Sequence, residues 1–259
     1  MHDLVELNPG DLGWALGIMI AAIALSNWQK LKLEGQLLLA TGRSLLQLLV
    51  VGYVLVAIFA LHNPLAVLAI LGIMLTIAAV VSRNRIGKKI GGLLPVVWGS
   101  LLASNALTLG YVIAFIIQPE NWYDPQYIIP LTGMVLGNAM NSASLAGERL
   151  ASLIIQNRLE VETYLCLGAT PTEAISAYRT EAIRVSLIPT INQMMVVGLV
   201  SLPGMFTGQV LAGSDPLNAA SYQILILFMI AFANLMTAIL VTQGVAQGFF
   251  NKNAQLTLP

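Results

Sequence analysis

The sequence predicts an all-α, polytopic membrane protein of about seven transmembrane helices, and three observations predict it. Of its 259 residues 57% are apolar and only 9% charged, against roughly 45–50% and about 25% in an ordinary soluble domain. The apolar residues fall in long blocks, and about 20 such residues in a helix cross the roughly 30 Å hydrocarbon core. The Lys and Arg residues partition onto one side of those blocks, as cytoplasmic loops require.

Read between their breakers, the spans run approximately over Leu12–Trp28, Gln36–Leu61, Leu65–Val81, Leu93–Ile117, Tyr127–Gly147, Leu187–Gly213 and Gln223–Gln243. Asp3, Glu6 and Asp11 precede the first, where a signal peptide would carry basic residues, so that span is expected to stay uncleaved and the mature chain to be the whole chain. The second holds Arg43 beside Ser44 and Gln47, a charge that either snorkels to the interface or belongs to an ion pathway. In the fifth, Gly133, Gly137, Met140, Ser144 and Gly147 fall within an arc of about 80°, with Asn138 and Asn141 to one side. Small residues let membrane helices approach. The two amides face either a partner helix or a transport pathway, because amides are costly in lipid.

The sixth span carries Asn192, Gln193, Met194 and Met195 and is interrupted at Pro203-Gly204. That interruption, flanked by Met205 and Thr207, is either an outer gate or a plain proline kink. Met134, Met140, Met194, Met195 and Met205 offer thioether sulfur, which suits a soft, copper-like cation, whereas iron and manganese prefer oxygen and nitrogen. Methionine as core filler is the competing account. The pathway residues expected from this pattern are Met134, Asn138, Met140, Asn141, Asn192 and Met195, with Pro203, Gly204 and Met205 at the gate.

Topology follows from charge. Lys30, Lys32, Arg83, Arg85, Lys88, Lys89, Arg149, Arg158, Arg179, Arg184 and Lys252 fall in loops on one side, and Asp3, Glu6, Asp11, Glu120, Asp124 and Asp215 on the other. The N-terminus is therefore expected outside and the C-terminus inside the cell membrane. One long cytoplasmic loop, Glu148–Ser186, stands out within a single domain spanning 1–259. Leu150, Ile154, Val161, Tyr164 and Leu165 recur near a helical repeat, which predicts an amphipathic helix prolonging the fifth span. Gly168 then suits a left-handed turn, and Thr170-Pro171-Thr172-Glu173 reads as a new helix start with a capping box.

Several function classes are excluded. Formal net charge is zero, which gives no electrostatic footing for nucleic acid. Cys166 is the only cysteine and His2 and His62 the only histidines, so neither a disulfide nor a zinc cluster is available. There is no G-x-x-x-x-G-K-[ST] loop, H-E-x-x-H or G-x-S-x-G. No catalytic role and no bound cofactor are expected for this chain.

Helix, glycine turn, second helix and a return into the bilayer at Pro189 is the layout by which ABC permeases present a coupling helix to a separate ATPase. Glu162, Gly168, Ala169 and Thr170 resemble the importer signature. The Leu-Pro pair that follows its Gly by about a dozen residues is met here only by Ile188-Pro189, further on. A plain helix hairpin is the alternative. The runs Gly133–Leu150, Leu167–Pro171 and Ser201–Gln209 strongly resemble the Fet-type iron-export permease family, to which plant aluminium-tolerance permeases also belong. The resemblance extends over nearly the full length. It implies a homodimeric permease in membrane lipid, exporting a metal ion such as iron, with ATP and magnesium held by a cytoplasmic ATPase partner. That partner would dock on Glu162, Gly168, Ala169, Thr170, Pro171 and Glu173. A nucleotide sugar or other small solute as cargo, or a scaffold or receptor subunit, are the alternatives.

Overall fold

A computed structural model describes residues 9–61, 63–87, 90–251 and 253–257. Asp3, Glu6, Lys88, Lys89, Lys252, His2 and His62, which entered the sequence reading, lie outside the described residues. The elements are helical throughout: α1 (Pro9–Trp28), α2 (Glu34–Leu61), α3 (Pro64–Ile86), α4 (Leu93–Val112) continued by a π-helical turn (Ile113–Ile117), α5 (Pro125–Gln156), α6 (Arg158–Cys166), α7 (Pro171–Ala174), α8 (Ser176–Val196), α9 (Gly204–Leu211) and α10 (Pro216–Gly248).

Four of these helices begin by one device, a short polar side chain followed by proline. Asn63, Asp124, Thr170 and Asp215 each accept a backbone N–H of the first turn, and Pro64, Pro125, Pro171 and Pro216 occupy the first helical position. Proline lacks the N–H that this position leaves unpaired, and its fixed φ is already helical. Asn63 Oδ1 accepts from Leu65 at 2.9 Å, Asp124 Oδ1 from Gln126 at 3.0 Å and Asp215 Oδ2 from Asn218 at 3.1 Å.

By length and composition, helical stretches over Glu34–Val56, Pro64–Ile86, Leu93–Ile117 and Pro216–Gly248 suffice to cross a membrane, and Gly13–Trp28 is a shorter apolar helix. The chain divides into two packing units, one up to residue 62 and one from residue 63. In the first, α1 packs on α2; Lys30 and Lys32 take positive φ in the turn between them, and Ser26 Oγ donates to Glu34 Oε1 at 3.4 Å. Most apolar side chains of α2 are exposed, as a lipid-facing helix requires.

In the second unit α5 and α10 form the centre. α5 packs on α3, α4, α8 and α10, and α10 on α4, α5, α8 and α9. At 32 residues, α5 is about 48 Å long at about 1.5 Å per residue, so it continues the fifth span into the expected cytoplasmic loop. The α3-facing stripe of α5 is the small-residue arc. A Cβ on Gly147 would lie 2.6 Å from Ile86 Cδ1 and one on Gly133 3.3 Å from Met74 Cε, while the hydroxyls of Ser82 and Ser144 meet at 3.0 Å.

The sixth span departs from its expected form. Rather than breaking at Pro203-Gly204, the helix ends at Val196, six residues earlier than expected, and the irregular stretch 197–203 follows. Gly198 there takes φ +80, and Pro203 stands as the N-cap residue of α9. The physical reason is that β-branched Val196 and Val197 meet a glycine free to enter the left-handed region, so the chain turns before proline is reached. At its other end, the helix begins at Ser176 and runs through Pro189, so loop and span share one continuous helix.

Gly244 marks the tightest helix approach: its Cβ would fall 2.0 Å from Val96 Cγ1. Val96 is short and stiff at χ1, so it cannot swing aside. Gly244→Ala is expected to cost about 1–3 kcal/mol through overpacking, read as a lower Tm in detergent. Gly244→Ala/Val96→Ala should recover most of that loss, and an unchanged Tm in the single variant would contradict the close packing of α4 on α10.

Candidate functional site

The loop expected to be cytoplasmic is a hinge built from three local devices. α6 ends at Cys166, and Gly168 takes φ +93 with open space around its missing Cβ; the glycine is there for its backbone conformation, not for close packing. Thr170 then caps α7: its hydroxyl accepts from the Glu173 N–H, and its own N–H donates to Glu173 Oε2 at 2.8 Å. The backbone N–H of Thr170, and then its hydroxyl, hold the Glu173 carboxyl below its usual range. Glu162 is held separately, accepting from Arg158 Nε at 2.7 Å along α6.

Two polar ties connect this hinge to the helix bundle. Arg149 of α5 forms an ion pair with Glu181 of α8. Arg179 of α8 donates through Nε to Thr242 Oγ1 at 3.2 Å and through a terminal nitrogen to the Ile239 carbonyl at 3.1 Å, both on α10. Clefts of about 500 Å³ and about 430 Å³ open on either side of Arg179, the first bordered by Thr170 and Glu173, the second by Pro171 and Phe250.

Inside the bundle lies a polar seam that sequence reasoning missed. Ser142 Oγ donates to the Asn234 carbonyl at 3.2 Å and lies 3.5 Å from Ser186 Oγ. Asn234 Nδ2 donates to Thr190 Oγ1 at 2.7 Å, and one turn further along α10 Thr237 donates to Ser104 Oγ at 2.6 Å. All six side chains are buried, so α4, α5, α8 and α10 are joined by hydroxyls and an amide across their packed faces. The pattern was visible as Ser104, Asn105 and Thr108 in span four and as Asn234 and Thr237 in span seven.

The expected pathway residues separate into three places. Asn138 is half-buried and donates to the Met134 carbonyl of its own helix at 2.8 Å. Asn141 is exposed on α5, as are Asn192 and Met195 near the end of α8, and α5 packs against α8. Met140 belongs to the α3-facing stripe and packs against the buried core, its carbonyl accepting from Ser82 at 3.3 Å. Met134 instead joins Met205 of the expected gate, both lining a cleft of about 300 Å³ between α5, α9 and α10. Gly204 is exposed at the start of α9, and Pro203 precedes it. Ala169 bridges Gly168 and Thr170, its N–H donating to the Tyr164 carbonyl at 3.0 Å. Among the described residues no group of three or more His, Cys, Asp or Glu is placed to hold a metal.

Comparison with known proteins gives this arrangement a family. The chain is 63% identical over 255 residues to the UPF0014 membrane protein slr1647 of Synechocystis sp., covering 98% of each. It is 35% identical over 252 residues to the probable iron export permease protein FetB of Escherichia coli, covering 96% of this chain and 94% of that one. It is 34% identical over 247 residues to the protein ALUMINUM SENSITIVE 3 of Arabidopsis thaliana, covering 93% and 87%. The resemblance to the Fet-type permeases and their plant relatives therefore holds along the chain. No solved structure matches it significantly. A family model described as an uncharacterised protein family, UPF0014, matches residues 9–250, and the chain is a multi-pass membrane protein that belongs to this family.

Proposed function

We propose that this chain is the membrane-spanning permease subunit of an ABC transporter that exports a metal ion such as iron. It acts as a homodimer driven by a separate cytoplasmic ATPase. The observation that carries this is end-to-end kinship with a relative named as an iron export permease, in a chain with a capped glycine hinge at one end of its helix bundle. The chain crosses the membrane seven times in this reading. The spans not long or apolar enough on their own are α1, whose apolar stretch Gly13–Trp28 is short, α5, whose hydropathy is diluted by its polar face, and the broken pair α8 and α9. The N-terminus lies outside and the C-terminus inside, supported by the one-sided distribution of Lys and Arg.

ATP and magnesium bind the partner, which grips the hinge at Glu162 and from Gly168 to Glu173. Arg179 and the Arg149–Glu181 pair then carry hinge movement to α10 and α5. The cargo passes where two copies meet, along the exposed amides Asn141 and Asn192 with Met195 beside them. The support is energetic. Asn141 lies about two turns inside Glu148 on α5, and an amide facing hydrocarbon there would lack partners for strong donors and acceptors. A second copy and the water between them supply those partners.

Three outcomes follow. An N-terminal tag should be reachable by a membrane-impermeant label from outside and a tag after Lys252 only from inside; both tags on one side would require an even number of spans and remove this topology.

Gly168→Val forces a β-branched residue into the left-handed region, a local strain of about 1–3 kcal/mol with no clash to relieve. The variant should remain monodisperse in detergent yet lose the ATPase subunit on affinity purification. Retention at the wild-type ratio would take Gly168 out of the docking surface, and absence of any cytosolic ATPase from the wild-type preparation would overturn the ABC reading itself.

For the pathway, Asn138→Leu and Asn141→Leu separate packing from transport. Asn141→Leu should leave Tm nearly unchanged and reduce metal-stimulated ATPase activity of the reconstituted complex by roughly tenfold, on the scale of a lost ligand or its support. Asn138→Leu should show a smaller loss, because its amide is already engaged by its own helix. Lower stability with unchanged stimulation in both variants would return these residues to structure.

A further inference from the structure

The cleft bordered by Met134 and Met205 lies at the starts of α5 and α10, the end of α5 remote from the Gly168 hinge. Its polar lining comes from neutral side chains, among them Gln209, Tyr127, Asn218 and Tyr222, and no Lys, Arg, Asp or Glu borders it. Gln209 borders the cleft, and its Oε1 is buried against protein with no hydrogen-bond partner among the described residues. A buried carbonyl oxygen left without a donor carries a desolvation cost of about 1–3 kcal/mol, which turning the terminal amide toward a cation or donor group in the cleft would remove. Both methionines are half-buried, border the cleft and pack against the apolar cluster of Leu131, Val135 and Ile226, so neither side chain is free in solvent.

Thioether sulfur selects soft cations, while hard divalent ions need carboxylate, imidazole or water. Two neutral sulfurs and one amide oxygen bring no negative charge to offset a divalent ion. We propose that this cleft binds a soft monovalent transition-metal cation, Cu(I) or its analogue Ag(I), with Met134 and Met205 as sulfur ligands and Gln209 Oε1 as an oxygen donor. The cleft volume of about 300 Å³ exceeds a bare ion, so water or a small carrier shares it. Binding at this site stands on the side chains alone.

The experiment uses the purified full-length chain in detergent without its ATPase, so failure of the transport reading leaves the result intact. Cu(I) is titrated under reductant against a chromogenic Cu(I) chelator, and anaerobic Fe(II) against an iron chelator in parallel. Measured in a Cys166→Ser background, because the exposed thiol of Cys166 would otherwise compete for Cu(I), the chain should withdraw about one Cu(I) and no Fe(II) from this site. Met134→Leu/Met205→Leu, close to volume-conserving, should lose that ion. Gln209→Leu should weaken it by at least about tenfold. Met229→Leu, which alters a buried methionine of the same apolar cluster that does not border the cleft, should bind as wild type. If the double variant is not monodisperse, Met205→Leu on the short helix α9 serves in its place and should weaken binding at least tenfold. Wild-type Cu(I) binding in the methionine variants, or Fe(II) taken up in preference to Cu(I), would overturn the proposal.

Discussion

Polar groups placed in hydrocarbon must find their partners within protein, and this requirement governs the second packing unit from end to end. Backbone groups meet it by staying helical. Side chains meet it in part through the seam of Ser104, Ser142, Ser186, Thr190, Asn234 and Thr237, which joins α4, α5, α8 and α10 at 2.6–3.5 Å, while Asn234 Oδ1, Asn105 Oδ1, Thr132 Oγ1 and Gln223 Oε1 are buried without a partner among the described residues. Because lipid tails are as apolar as leucine, burial of apolar surface does little to hold helices together in a bilayer. Close approach and internal hydrogen bonds take that role, and this unit has both, with glycines at 147, 244 and 248 where a Cβ would collide with Ile86, Val96 and Ile90.

The same requirement explains where the bundle is left open. Asn141, Asn192 and Met195 are each exposed on two helices that pack together, and Gln209, whose Oε1 is buried without a partner among the described residues, borders one cleft with Met134 and Met205. Polar groups of this kind are costly in hydrocarbon, and that cost is the support for the proposed pathway and cleft site. The hinge at Gly168 sits at the opposite end. Between the two ends run α8 and α10, tied by Arg179, and α5, tied to α8 by Arg149 and Glu181. In the proposed reading, these ties are what would pass a movement at the hinge into the helices that carry the open polar groups.

The loop was legible in the sequence to the level of single hydrogen bonds. Gly168, Thr170, Pro171 and Glu173 follow local rules that need no distant neighbour, and the left-handed φ and capping box stand where those rules put them. The small-residue stripe of α5 was legible as packing for the same reason. The sixth span was less so: a proline is the stronger written signal, but the chain turns at Gly198, because the helix end is settled by whichever residue first leaves helical φ. The hydroxyl seam went unread because a Ser or Thr in a span looks the same whether it bonds its own helix or a neighbour.

The sequence by itself determined that the chain is helical, lipid-embedded and organised around a glycine hinge, because composition, periodicity and capping act within one or two turns of chain. Its long motifs also pointed to the family. Only the tertiary structure decided which polar residues pair and which stay open. It turned Met140 towards α3, left Asn141 exposed, and brought Met134 and Met205, 71 residues apart in the chain, to a single cleft. The physical reason is that a helical repeat fixes the face on which a residue lies, whereas the neighbour against which that face packs depends on how distant helices cross.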